Sequence, residues 1–330
     1  MSGSVTVVVP CYNYGRYLRQ CVNSILAQDV DLDIDIIDDA SDDDTQTVGT
    51  ALAAEDGRVT YTRHERNIGH IATYNEGIDW ASGEYTLLLS ADDALTPGSL
   101  RRAARLMDAH PDIALVHGQS IRTADPSREV CPPADDCETS FVRGLDFFRS
   151  LCETGQNVVE TPTAVVRTSV HKRVGGYRAE LPHAGDMELW LRLSLHGDVG
   201  YVHGVQAYYR VHGKNMSTGF QQVRDYRQRK DVFRILFREY PDRIPQLEIL
   251  RHAATVALAQ DAFWDAAAAF DRGDKGAIDE YLAFAAETYP PIEASWAWRR
   301  LQVKRAMGTR LWKLLRSPVR GLRASLAVKT

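Results

Sequence analysis

Two hydrophobic periods alternate along the first 118 residues. Val5–Val9 is a continuous apolar, β-branched run, the pattern of a buried strand. Tyr17, Leu18, Cys21, Val22, Ile25 and Leu26 then recur at helical spacing and predict an amphipathic helix. Ile34–Ile37 predicts a second strand, Thr45, Val48 and Leu52 a helix, and Val59 and Tyr61 a third strand. A helix through Ile71, Tyr74 and Ile78 and a strand over Tyr85–Leu89 follow. Pro97, suited to the first turn of a helix, precedes Leu100, Ala103, Ala104 and Met107, and Ile113–Val116 reads as strand again. This alternation predicts an α/β body with a mostly parallel sheet flanked by helices.

Residues 119–140 are polar and proline-bearing and predict a surface loop. A helix near 141–152, a strand in 158–166, a helix over 186–196 and a strand in 199–211 are expected next, and 221–330 reads as mostly helical. The predicted division is a catalytic body over 1–219 and a helical C-terminal region over 220–330. A length of 330 residues suits about two domains. Hydrophobic residues at 44% and charged residues at 25% exclude global disorder. No apolar run approaches the roughly 20 residues needed to cross a bilayer, and the opening MSGSVTVVVP lacks a basic leader region. A cytoplasmic protein is expected. Five cysteines form no framework, so free thiols are expected, including Cys131 and Cys137, which flank a Pro/Asp loop. Charge is unevenly placed: residues 296–330 hold ten Lys/Arg and no acid, which leaves −15 on the rest of a chain whose net charge is −5.

Parallel strands joined by right-handed crossovers end on one edge, where ligands bind. Four predicted strands here run into polar residues: Pro10-Cys11-Tyr12-Asn13, Asp38-Asp39-Ala40-Ser41-Asp42, His64-Glu65-Arg66-Asn67-Ile68-Gly69 and Ser90-Ala91-Asp92-Asp93. Each alone reads as turn or cap chemistry; four on one edge point to a site. The adjacent carboxylates Asp92 and Asp93 repel unless a cation or hydrogen-bond donors offset them. A hard divalent cation shared with substrate phosphates suits such a pair. No Gly-x-Gly-x-x-Gly, phosphate-binding loop or His-Glu-x-x-His is present, which favours a nucleotide diphosphate held through metal and side chains.

Pro10-x-Tyr-Asn13, Asp38-Asp-x-Ser-x-Asp42, Asn67-x-Gly69 with Asn75, Gly83-Glu-Tyr, Ser-Ala-Asp-Asp93, Gly175-Gly-Tyr, Gly185-Asp-Met-Glu-Leu-Trp-Leu-Arg192 and Tyr209-Arg-Val-His-Gly-Lys-Asn-Met-Ser217 occur in that order. Together they resemble the inverting family 2 glycosyltransferases of the GT-A fold. The resemblance implies a nucleotide-diphospho-sugar donor, UDP- or dTDP-linked, bound by Pro10, Tyr12, Asn13, Asp38, Asn67, Gly69, Asn75, Ala91, Asp92 and Asp93. Asp38 would accept from a pyrimidine imide N–H. Asp92 and His212 would hold Mg²⁺ or Mn²⁺, and Asp186 would be the base, with helix capping its structural alternative. Glu188 and Trp190 are candidates for the acceptor site, with core packing the alternative for Trp190. Two positions depart from the family pattern: Ser90 replaces the first acid of its Asp-x-Asp motif, and Tyr74 stands where a basic residue is common.

A nucleotidyltransferase is the first competing reading, disfavoured because Pro-Cys-Tyr-Asn is neither glycine-rich nor basic. A non-catalytic nucleotide-binding protein with a decayed site is the second. The acceptor, whether glycan, lipid-linked or small molecule, has no readable code. The C-terminal segment combines ten cations with Trp296, Trp298, Leu301, Leu311, Trp312, Leu314 and Leu315. It is expected either to pack on its own domain or a second subunit, or to lie on an anionic membrane surface. Nucleic-acid binding is disfavoured by the acidic body.

Overall fold

Val5–Cys11 (β1) is buried at every position because neighbours cover it on both edges and both faces. It pairs in parallel with Leu32–Asp38 (β2) on one side and with Tyr85–Leu88 (β4) on the other, and Val59–Arg63 (β3) extends the parallel set beyond β2. Helices Gly15–Leu26 (α1), Thr45–Glu55 (α2) and His70–Trp80 (α3) make the crossovers. A computed structural model describes residues 3–129, 137–213, 215, 223–308 and 312.

The chain continues through Ala94–Leu95 (β5), Ser99–Ala109 (α4), Ile113–Thr123 (β6), Thr139–Val142 (β7), Gly144–Thr154 (α5), Val165–Arg167 (β8), Thr168–Val174 (α6), Gly185–Ser194 (α7) and Asp198–Arg210 (β9). Helices Val223–Glu239 (α8), Leu247–Arg272 (α9) and Lys275–Thr288 (α10) follow, then a helical segment over 296–308. The nine described strands form one sheet of order β3-β2-β1-β4-β8-β6-β9-β5, with β7 also on β9. The sheet is mixed: β8 runs antiparallel to β4 and β6, and β5 and β7 run antiparallel to β9.

Period-2 alternation divides the core between the two faces. Leu87 and Leu89 join the cluster under α1 and α4, whereas Leu88 joins the one that runs into the C-terminal helices. Burying each such side chain stabilises the fold by about 1.5–3 kcal/mol. Helix α3 lies so close to β1 that a Cβ on Gly77 would come within 2.2 Å of Val8.

Several boundaries differ from expectation, each because backbone pairing overrides local polarity. Residues 119–123 are strand rather than loop, because β6 continues along β9 as far as Thr123 opposite Arg210. Residues 139–142 pair with β9 and push the next helix back to Gly144. Pro97 lies outside α4, which begins at Ser99 after Gly98 in the left-handed conformation, φ 72°. The strand expected in 158–166 is confined to β8, and β5 and α6 gave no sequence signal.

Across the predicted division at 219/220, one buried cluster joins Phe148 and Leu151 of α5 to Leu258, Phe263 and Leu301. In the described part of the basic segment Trp298 is buried, its ring 5.9 Å from that of Phe263, and Leu301 is buried beside it, while Trp296 is 72% exposed. That part packs on its own chain. Leu311, Leu314, Leu315 and the charges beyond residue 308 lie outside the described residues, as does Cys131. Cys11, Cys21 and Cys152 are free thiols. No helix among the described residues is long and apolar enough to cross a membrane.

Candidate active site

The loops after β1 and β2 are stapled to each other. Asn13 takes φ 59°, a conformation asparagine tolerates; its N–H donates to Ser41 Oγ at 2.8 Å and its Oδ1 accepts from the Asp42 N–H at 2.8 Å. Asp39 then gathers the loop after β3. Its Oδ1 accepts from the Ile68 N–H at 2.8 Å and lies 2.8 Å from His64 Nδ1, while its Oδ2 accepts from the Gly69 N–H at 3.0 Å. Gly69 itself sits at φ 88°, where a side chain would be strained. These loops enclose a chamber of about 840 Å³ lined by Pro10, Tyr12, Asn13, Asp39, Asn67 and Gly69, among others.

Asp38 departs from its expected place. It is fully buried; its Oδ1 accepts from the Ser41 N–H at 2.8 Å, and its Oδ2 accepts from the Tyr61 hydroxyl at 2.7 Å and Arg63 at 2.6 Å. Burial alone would raise its pKa, but the donors from Ser41, Tyr61 and Arg63 outweigh burial and hold the carboxyl below the usual carboxylate value. The strand alternation that sends Ile34 and Ile36 into the core carries Asp38 onto the same face. Asp39 stands in the chamber wall with Asp42, Asp43 and Asp44, and that alternation was the signal that would have found it.

A second chamber, of about 510 Å³, adjoins the first; Tyr14, His70, Tyr74 and Ser90 line both. Asp92, Asp93 and Asp186 line the second. His212 Nε2 lies 2.9 Å from Asp92 Oδ2, with the imidazole stacked on Tyr17 and edge-on to Tyr14. Asp93 Oδ1 accepts from the Arg210 N–H at 2.8 Å. Burial first, and then the charge of Asp92, push Asp93 well above the usual carboxylate range. Arg210 ties the two strand ends together: its Nε donates to the Asp92 carbonyl at 2.7 Å and its guanidinium lies 4.4 Å from the Tyr17 ring centroid.

Asp186 is the second residue of α7, whose N-cap position belongs to Ala184. Its Oδ1 accepts from the Met187 N–H at 2.7 Å, so it does satisfy one first-turn donor. Its Oδ2 accepts from Asn157 Nδ2 at 3.1 Å and from Thr161 Oγ1 at 3.5 Å. Burial pushes the carboxyl up to about 6, against the weaker opposing pull of the Met187 N–H, His183 and Thr161. A carboxylate poised there can take a proton near neutral pH. Asn157 and Thr161 had no sequence signal, because the loop that carries them reads as featureless.

Four other expected site residues do structural work. Asn75 clamps the Gly175-Gly-Tyr turn: its Nδ2 donates to the Tyr177 carbonyl at 2.9 Å and its Oδ1 accepts from the Tyr177 N–H at 2.6 Å. A Cβ on Gly176 would lie 2.1 Å from that Oδ1, so the turn needs glycine there. Ala91 turns its methyl into the core. Glu188 is fully buried between Arg178, at 2.9 Å, and Arg192, at 2.8 Å. Trp190 is a buried core residue of the same helix. Neither Glu188 nor Trp190 reaches the chamber, because both point from α7 into the interior.

Among the described residues no group of three or more His, Cys, Asp or Glu forms a complete metal site. The donors present do fit a shared ion. Asp92 lines the second chamber with the His212 imidazole against its carboxylate, and a divalent cation commonly completes its shell with substrate phosphates.

The Glycosyl transferase family 2 model matches residues 6–172, just over half the chain. An uncharacterised glycosyltransferase of Rickettsia prowazekii is 23% identical over 67% of this chain and 69% of its own. The GalNAc(5)-diNAcBac-PP-undecaprenol beta-1,3-glucosyltransferase of Campylobacter jejuni is 38% identical over 36% of this chain and 38% of its own. The chain therefore spans well under two thirds of some curated relatives and barely over it in others. Among solved structures, S. aureus TarS with UDP-GlcNAc superposes with a TM-score of 0.65 at 19% identity, covering 88% of this chain and 82% of that one. The mannosyltransferase PcManGT of Pyrobaculum calidifontis, in complex with GDP-Man and Mn²⁺, gives 0.56 at 19% identity over 94% and 84%. These likenesses establish the GT-A fold.

Proposed function

The chain belongs to glycosyl transferase family 2 and is a glycosyltransferase, and on that premise we propose that it moves a sugar from a UDP- or dTDP-linked donor to an acceptor hydroxyl by a single inverting displacement. The observation that carries this reading is that Asp186, with its carboxyl raised to about 6, faces the same chamber as Asp92. The nucleoside occupies the chamber walled by Tyr12, Asn13, Asp39 and Asn67, and the diphosphate crosses the shared boundary at Ser90 and Tyr74. Binding of UDP-GlcNAc by TarS and of GDP-Man by PcManGT, two proteins of the same fold, supports a nucleotide-sugar donor.

Asp186 Oδ2, oriented by Asn157 and Thr161, takes the proton of the acceptor hydroxyl. The acceptor oxygen forms its bond to the anomeric carbon as the bond to the diphosphate oxygen breaks, and the electron pair leaves with the nucleotide. A positioned base contributes roughly 10²–10⁴-fold to such a step. Asp92 and His212 would hold a Mg²⁺ or Mn²⁺ ion, which would offset the charge that develops on the departing diphosphate.

The test is a thermal-shift panel of UDP, dTDP and GDP with Mn²⁺ or with EDTA. Stabilisation by a uridine or thymidine diphosphate only in the presence of metal is expected. Equal shifts in EDTA would overturn the metal assignment, and a preference for GDP would overturn the donor.

A further inference from the structure

The C-terminal helices hold a cavity of about 510 Å³ that shares no lining residue with either chamber of the transfer cleft. Its floor includes Phe233 and Phe237 of α8 and Leu258 of α9, all buried, with the two phenyl rings stacked at 6.1 Å. Its mouth carries Lys230, Arg234, Arg238 and Arg251 and no carboxylate. On α8 the pattern is a single stripe, cations and phenylalanines recurring three and four residues apart from 230 to 238.

That sign is unexpected, because the chain before residue 296 carries a net −15. The four cations do have acidic partners, Glu287, Asp231, Glu239 and Glu248, but those carboxylates stand outside the cavity. Such solvent-exposed pairs are weak and readily exchanged, and guanidinium groups match phosphate oxygens in two-point geometry. Thr288 Oγ1 also lines the cavity, buried and with no hydrogen-bond partner among the described residues. An apolar floor of this size takes an aliphatic chain, and a wholly cationic mouth takes an anion.

We propose that this cavity binds a phosphate-headed lipid, the aliphatic chain over Phe233, Phe237 and Leu258 and the phosphate among the four cations. The basic segment of the chain itself is the wrong occupant, since residues 296–330 carry ten cations and no acid. The proposal stands independently of the donor site.

The full-length chain titrated with dodecyl phosphate below its micelle concentration tests this by calorimetry. Saturable binding is expected, with none for dodecyltrimethylammonium and far weaker binding of inorganic phosphate alone. The double variant Arg234→Glu/Arg251→Glu should weaken binding by about tenfold or more, since two charge-assisted contacts are lost. Thr255→Trp, which fills the cavity wall with an indole, should abolish it. Both variants alter partly exposed positions and should keep a cooperative melting transition close to the parent's. The idea fails if the double variant binds dodecyl phosphate as the parent does, or if the ammonium amphiphile binds equally. It also fails if no saturable binding occurs, or if the substitutions instead dissolve a dimer of the parent.

Discussion

Asp92 and His212 are 120 residues apart in sequence, yet Oδ2 of one lies 2.9 Å from Nε2 of the other. The contact joins the loop after β4 to the loop after β9, and Arg210 secures it by donating to the Asp92 carbonyl. The pair sets one oxygen and one nitrogen donor side by side, with Asp92 in the wall of the second chamber.

If that pair holds the ion, Asp92→Ala should remove the Mn²⁺-dependent part of the thermal shift given by UDP. At a nucleotide concentration a hundredfold above Kd the parent gains about 2.7 kcal/mol, so the loss is readily measured. His212→Ala should reduce the same increment, and the double variant should cost less than the two single losses added together, because both groups act on one ion.

Asp186→Asn keeps the shape and the acceptor for the Met187 N–H but cannot take a proton. Turnover should drop by at least about 10² while UDP binding is unchanged. The parent's rate should fall as pH drops through about 6, where the base becomes protonated.

The same raised pKa has a consequence for stability with the opposite sense. The folded state binds this proton more tightly than the unfolded chain does, so the stabilisation is complete at low pH and is lost as pH rises through about 6. Asp186→Asn should therefore be more stable than the parent at pH 7.5, by about 3 kcal/mol. That advantage should vanish near pH 4. Equal melting at both values would mean that the carboxylate is not desolvated.

Gly176→Ala should break the clamp between Asn75 and Tyr177, since its Cβ would lie 2.1 Å from Asn75 Oδ1. A loss of about 1–3 kcal/mol is expected in chemical denaturation. Asn75→Ala in the same background should add little, because the bonds it removes are already broken.

Glu188→Gln leaves the buried Arg192 guanidinium without its counter-charge and should destabilise by about 3–5 kcal/mol. Nucleotide affinity of the remaining folded protein should not change. A selective effect on an acceptor's KM would restore Glu188 to the acceptor site.

By itself the sequence determined the order of the helices and of every strand except β5 in the first 118 residues, and the polar character of the strand ends, because periods of 2 and 3.6 are local properties. It also determined the family, because the motifs recur in a fixed order. Tertiary structure decided which side chains reach the cleft. Asp38 and Asp39 are chemically identical neighbours, and only the packing of β2 sends the first into the core and the second to the chamber wall. Asn75 and Glu188 carry site-like chemistry, but packing spends them on the Tyr177 turn and on Arg192. Asn157 reads as an ordinary loop residue and becomes the partner of Asp186. The antiparallel insertion of β8 was hidden as well, since strand direction depends on a partner distant in the chain. The physical reason is common to all of these. Element type follows from neighbours in sequence, whereas the direction of a side chain and the company it keeps follow from backbone pairing and burial between segments up to 120 residues apart.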